Sequence, residues 1–226
     1  MGHAMVVGGA RASAPVVGIR LGDIAEGQLV KLLENGTSVE FYVAKHDYES
    51  ALNGSGRTLL VRKDYYHIIP WNSYIANSYA NSNLDSWLNN TYKTLLDSDV
   101  QTLIETTKFY YTPGNGTTTV NTLERSIFQM SLTELGKSAT NANTEGSAIP
   151  ISSILQIAYH NGTANTQWTR TPRTGTTKSA FYLNSSGNVE YGAVEASECG
   201  TRPCFTFPSG ALFDEETMLF NGKVVA

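Results

Sequence analysis

The chain has 226 residues, 41% of them hydrophobic, which is enough for a sizeable core and fits one domain better than two. A formal charge of −4 with only 16% charged residues provides no basic footprint of the kind that neutralises phosphates, so nucleic acid is not an expected partner. No apolar run reaches the ~20 residues a helix needs to cross a bilayer, so membrane insertion is not expected either.

In chain order, residues 1–17 lack the charged n-region and long apolar h-region of a signal peptide. They read as a flexible arm that could dock on a neighbouring subunit, ahead of a single domain at 18–226. "LVKLLENGTSVEFYVAKH" sets Asn35-Gly36 between two apolar runs, a strong hairpin signal, with strands near 28–34 and 38–45. "RTLLVRKDYY" follows as a third strand after a loop at Asn53 to Gly56. Leu84, Trp87 and Leu88 fall at i, i+3 and i+4 and predict a short helix with Asn83 as its cap. Val100, Leu103 and Ile104 repeat the pattern, with Ser98 or Asp99 as cap. Strand character returns at Lys108 to Tyr111, and "PGNGTTT" is a loop.

"SIFQMSLTELG" predicts a strand running into a helical turn, with Ser131 and Glu134 spaced as a capping box. Residues 137–165 form a long irregular excursion with one apolar island at Ile149 to Tyr159. "QWTRTP", "SAFYLNSSGNVEYGAV" and "TRPCFTFPS" are three further strand segments, the second folded at Ser186-Gly187.

Ser, Thr and Asn number 62, so the surface is made polar mainly by small neutral groups, and six N-x-[ST] matches begin at Asn35, Asn53, Asn89, Asn115, Asn161 and Asn184. His3, His46, His67 and His160 are scattered without metal-ligand spacing, and no G-x-S-x-G elbow is present. Asp64, Asp85, Asp97 and Asp99 read as caps and surface charges. No catalytic residue, metal or cofactor is therefore expected. Cys199 and Cys204 lack the partners of a zinc site and read as structural or free thiols, with a disulfide or redox chemistry as the alternatives. Tyr65, Tyr66, Trp71, Tyr74 and Tyr79 cluster about a proline, and Tyr182 alternates with Asn184 near Asn188, Glu190 and Tyr191. Tyr and Asn together suit an adaptable binding surface, and Tyr equally suits a half-buried strand.

The order of "GDIAEGQLVKLLENGTSVEFYVAKHD", "LLVRKDYY", "NSYANSNLDSWLNNTY", "SIFQMSLTELG", "WTRTP" and "GTRPCFTFPS" across 22–209 resembles a domain family of phages and prophages of gut Gram-positive bacteria. That resemblance implies an α+β, C-type-lectin-like fold with short antiparallel strands, two or more short helices and long loops, similar to formylglycine-generating enzymes and phage variable tropism proteins. Trp168 and Arg170 match its W-x-R-x-P element, and Gly200, Arg202 and Pro203 its G-x-R-P element; all five are expected to be structural. Gln167, Thr169 and Cys204 depart from the pattern, and Cys204 takes a small-residue slot in a closing strand. The resemblance implies a tail-associated virion protein that recognises a host-surface protein or glycan, contacts other virion subunits and forms a homo-oligomer. The expected face lies between Arg173 and Glu198, with Tyr182, Asn184, Asn188, Glu190 and Tyr191 as ligand-binding residues. A decoration or baseplate subunit without a ligand is the alternative, and an enzyme of the formylglycine-generating type acting through Cys199 or Cys204 is a third reading.

Overall fold

The computed structural model describes residues 17–195 and 199–225. Of the expected N-terminal arm only Val17 belongs to this set, and Glu198, the far end of the expected face, lies outside it.

β1 (Ile19–Arg20) precedes the predicted hairpin of β2 (Leu29–Glu34) and β3 (Thr37–His46). Asn35 and Gly36 both have positive φ, 51° and 69°, the conformation that matches a two-residue turn to the right-handed twist of its strands. Val30, Leu32, Phe41 and Val43 point into the core. α1 (Ser50–Asn53) occupies the start of the next connection, and β4 (Arg57–Arg62) and β5 (His67–Ile68) follow.

α2 (Asn83–Trp87) is capped by Ser82, whose hydroxyl accepts from Asp85 N at 3.0 Å, and not by Asn83. The Asn83 carboxamide is instead occupied by Ser73 N at 2.6 Å. The helix widens into a π-helical turn at Leu88–Tyr92 and ends in α3 (Lys93–Leu95). α4 (Ser98–Leu103) includes both expected caps, Ser98 and Asp99, in its first turn. Asp97 holds the N-cap position, yet its carboxylate accepts from Gly36 N at 3.1 Å and so ties the helix to the first hairpin.

β6 (Thr107–Tyr111) pairs with β7 (Asn121–Arg125) around the predicted loop. β7 has one apolar residue, Leu123, so no alternation announced it. The strand expected in "SIFQM" reduces to a single bridge between Phe128 and Cys204. Side chains satisfy the backbone there: the Asn89 carboxamide pairs with both N–H and C=O of Ile127, and Gln129 N donates to the Tyr79 hydroxyl. The Ser131/Glu134 capping box forms, with Glu134 N to Ser131 Oγ at 3.1 Å and Ser131 N to Glu134 Oε2 at 2.8 Å.

α5 (Ser152–Leu155), β8 (Ala158–His160) and β9 (Thr163–Asn165) give the excursion its only regular structure. β10 (Gln167–Pro172), β11 (Ser179–Leu183) and β12 (Val189–Ala193) are strands expected from the sequence, whereas the single strand expected in "TRPCFTFPS" is broken at Arg202-Pro203 into β13 (Gly200–Thr201) and β14 (Cys204–Pro208), which belong to different sheets. β15 (Ala211–Phe213) and β16 (Phe220–Val224) were not expected, and they join β1 in a three-stranded sheet.

The architecture is thus mixed α+β, built on an antiparallel sheet ordered β14-β4-β3-β2 and a five-stranded sheet ordered β12-β11-β10-β13-β5, in which only β10 and β13 run parallel. Arg170 on β10 is fully buried. It donates bidentately to Glu134, at 2.6 and 2.9 Å, and to the carbonyls of Gln129 (2.9 Å) and Tyr110 (2.9 and 3.1 Å), with its plane over the Phe109 ring. Tyr48 donates its hydroxyl to Glu134. Beside this pair Glu145 accepts from Thr112 N and Thr171 Oγ1, both at 2.6 Å, and burial raises its pKa.

Removing one member of such a pair strands the other charge in the core. Glu134→Ala is expected to cost about 3–5 kcal/mol, whereas Glu134→Leu with Arg170→Met, which strands no charge, costs less. Urea denaturation of the two variants checks this, and equal losses would show that the charge of Arg170 is not the cause.

Candidate functional site

The β11/β12 register places Tyr182 opposite Glu190 and Phe181 opposite Tyr191. Opposed residues share a face and adjacent ones do not, so Tyr182 and Glu190 lie on one face and Tyr191 on the other. The single face expected from the sequence is therefore split, because the period of a strand separates residues of odd spacing.

On the first face Glu190 is the hub. Its exposed carboxylate accepts from Tyr182 Oη at 2.7 Å and from Asn184 Nδ2 at 2.6 Å, and these two bonds hold its pKa below the ordinary glutamate value. Asn184 Oδ1 accepts from Ser186 N and Asn188 N, each at 3.0 Å, so one side chain fixes both the turn and the carboxylate. Asn188 is exposed and contributes its backbone to this arrangement. The Tyr182 ring packs edge-on against Trp168 at 5.7 Å and lies across Gly192, where a Cβ would meet its Cε1 at 3.3 Å. The buried turn residue Gly187, at φ +76°, sits against Gln156 and Ile157, which seats the hairpin tip on the segment after α5.

On the opposite face the Arg173 guanidinium lies 4.3 Å above the half-exposed Tyr191 ring, a cation–π contact, with buried Phe181 alongside at 6.2 Å.

The five motif residues are framework. Trp168 is buried and donates to Ile69 O at 3.0 Å. Gly200 has no room for a side chain, since a Cβ would fall 2.6 Å from Tyr65 Cγ. Arg202 donates to the carbonyls of Arg62 (2.8 Å), Lys63 (2.7 Å) and Leu155 (3.0 Å), and burial lowers its pKa to about 10. Pro203 is buried and its carbonyl accepts from Arg62 N at 3.0 Å.

Both cysteines are buried. Cys204 Sγ donates to Phe128 O at 3.0 Å, and burial pushes its thiol well above the usual range, the opposite of what a nucleophilic thiolate needs. Among the described residues no group of three or more His, Cys, Asp or Glu could hold a metal ion. Two N-x-[ST] asparagines are committed inside the fold: the Asn53 carboxamide pairs with both backbone groups of Lys108, and that of Asn89 with Ile127.

Two cavities escaped the sequence reading because remote segments build them. One of about 470 Å³ lies between Tyr42, Lys63, Ile154, Tyr159 and Arg202, and one of about 350 Å³ lies beside Trp87.

The hydrogen bonds to Glu190 have a pH signature. They favour the ionised form, so they are present above the ordinary carboxylate range and are lost as pH falls through the lowered pKa of the folded protein. A carbon-detected NMR titration should place Glu190 below 4.5, and Tyr182→Phe should move it back toward that value. The same midpoint in both proteins would mean that the Tyr182 bond does not persist in solution.

No curated protein and no solved structure matches the chain. A family model described as a domain of unknown function (DUF6273) matches residues 55–209, more than half of the chain, from the loop before β4 to the end of β14. That span contains the buried Arg170–Glu134 pair, the carbonyl-bound Arg202 and the β11/β12 hairpin, and on it the chain belongs to the DUF6273 family.

Proposed function

We propose that the chain is a tail-associated component of a phage or prophage particle, whose C-type-lectin-like domain recognises a protein or glycan on the host surface through the Tyr182 face of the β11/β12 hairpin. The ordered motif set that resembles phage and prophage domains supports the particle context. The observation that carries the binding role is the arrangement of Tyr182, Asn184 and Glu190: an exposed carboxylate, an amide and an aromatic ring held in place before any ligand arrives. Preorganised groups lose little entropy on binding, and a carboxylate with an adjacent amide can accept from and donate to vicinal hydroxyls or peptide groups. The Tyr191 face, with Arg173 stacked on it, is assigned to packing against other virion subunits in a homo-oligomer.

The purified domain should bind cells of the host strain. Asn184→Ala with Glu190→Ala should weaken that binding about tenfold or more, the loss of one or two charge-assisted hydrogen bonds. The variant should still fold cooperatively, with its melting temperature lowered only by the loss of the Asn184 turn bonds, and Tyr191→Ala should retain binding. Full binding by the double variant would remove the site from this face. Absence of cell binding, together with many copies in a regular lattice by electron microscopy of particles, would replace the reading with the decoration subunit.

A further inference from the structure

The three tryptophans differ in one respect. Trp71 and Trp168 are buried, and their indole N–H groups donate to Thr169 O at 2.9 Å and Ile69 O at 3.0 Å. Trp87 is half-buried, and its N–H meets no acceptor among the described residues while remaining open to solvent. Its ring is nonetheless fixed, by Tyr66 at 5.5 Å, Tyr92 at 5.7 Å and His67 at 6.0 Å. An immobilised aromatic side chain with an unused donor lines the cavity of about 350 Å³.

The rest of the lining narrows the ligand. Ile69 and Pro70 extend the apolar floor, and Asn83, Ser86, Asn90 and Thr91 supply exposed amides and hydroxyls; no charged side chain lines the cavity. Asn90 Nδ2 donates to Ser86 Oγ at 3.1 Å, which leaves the Asn90 carbonyl oxygen and the Ser86 proton available. Asn90 and Thr91 stand on the π-helical turn, whose neighbouring residue Asn89 is clamped to Ile127 on the core side. π-helical turns are rare and occur frequently at functional sites.

An anion would find no cation in this lining and a cation no carboxylate. A flat ring with an apolar C–H face and a rim of hydroxyls satisfies both the floor and the rim, and the volume is at the small end of ligand sites, enough for one such ring. We infer that the Trp87 cavity is a binding subsite for a neutral hexopyranoside, with the sugar ring on the indole and the Trp87 N–H donating to a sugar oxygen. The subsite is separate from the hairpin face and does not rest on it.

Methyl glycosides of glucose, galactose, mannose and N-acetylglucosamine are the probes, titrated into the full chain labelled with nitrogen-15. The three indole N–H signals are assigned by through-bond correlation. The expected result is a saturable shift of the Trp87 signal with at least one glycoside, while those of Trp71 and Trp168 stay in place. Ser86→Ala with Asn90→Ala, both exposed and outside the core, should weaken that binding about tenfold. Failure of every glycoside to move the Trp87 signal overturns the inference, as does an equal shift with acetate or methylammonium, or an unchanged affinity in the Ser86/Asn90 variant. The Asn184/Glu190 variant should titrate like the parent, so the loss of host-cell binding and the loss of this subsite are told apart.

Discussion

A guanidinium with no exposed surface must find an acceptor inside the protein for each of its five N–H groups, and Arg170 finds them on three separate segments. Tyr110 belongs to β6, Gln129 to the chain entering the capping-box turn, and Glu134 to that turn itself. None of these segments is joined to β10 by a regular ladder. The ion pair therefore does in the interior what a strand partner does elsewhere, and it specifies where an otherwise irregular stretch must lie. Its net stabilisation relative to an apolar core is small by general experience, but its geometry admits few alternatives.

Arg202 solves the same problem with other partners. Among the described residues its acceptors are backbone carbonyls, of Arg62 and Lys63 at the end of β4 and of Leu155 at the end of α5. The short W-x-R-x-P and G-x-R-P elements thus each supply one buried cation that ties loops to strands. One is neutralised by a carboxylate. The other is bound only by dipoles, so burial lowers its pKa, whereas beside Arg170 the same burial penalty is outweighed by Glu134 and the neighbouring acidic groups, which raise its pKa. With the irregular segments held from inside, the hairpin of β11 and β12 and the turn bearing Trp87 can present polar groups outward without carrying the fold.

Signals in the sequence are legible where the physics is local. Asn35-Gly36 predicted its hairpin because φ > 0 at both positions is a property of the dipeptide, and Ser131 and Glu134 predicted their reciprocal bonds because the spacing alone brings them together. The expected caps lie one or two residues beyond the observed ones: Ser82 caps α2 in place of Asn83, whose carboxamide is taken by Ser73 N, and Asp97 stands at the N-cap of α4 in place of Ser98 or Asp99. β7 was invisible because a ribbon lying mostly in solvent needs no apolar alternation. For the candidate site, the identities of Tyr182, Asn184 and Glu190 were legible and their union was not, since it depends on the β11/β12 register, which also sends Tyr191 to the other face. The Trp87 cavity had no signal in the sequence, because its floor at Ile69 and Pro70 and its rim at Asn83 to Thr91 meet only in the fold.

The two surfaces proposed for binding are not mechanically independent of the core. Trp168 touches both: its ring packs edge-on against Tyr182, and its N–H holds the carbonyl of Ile69, which floors the Trp87 cavity. A buried indole with its one donor satisfied has little freedom to move, so it fixes the hairpin face and the cavity floor relative to each other.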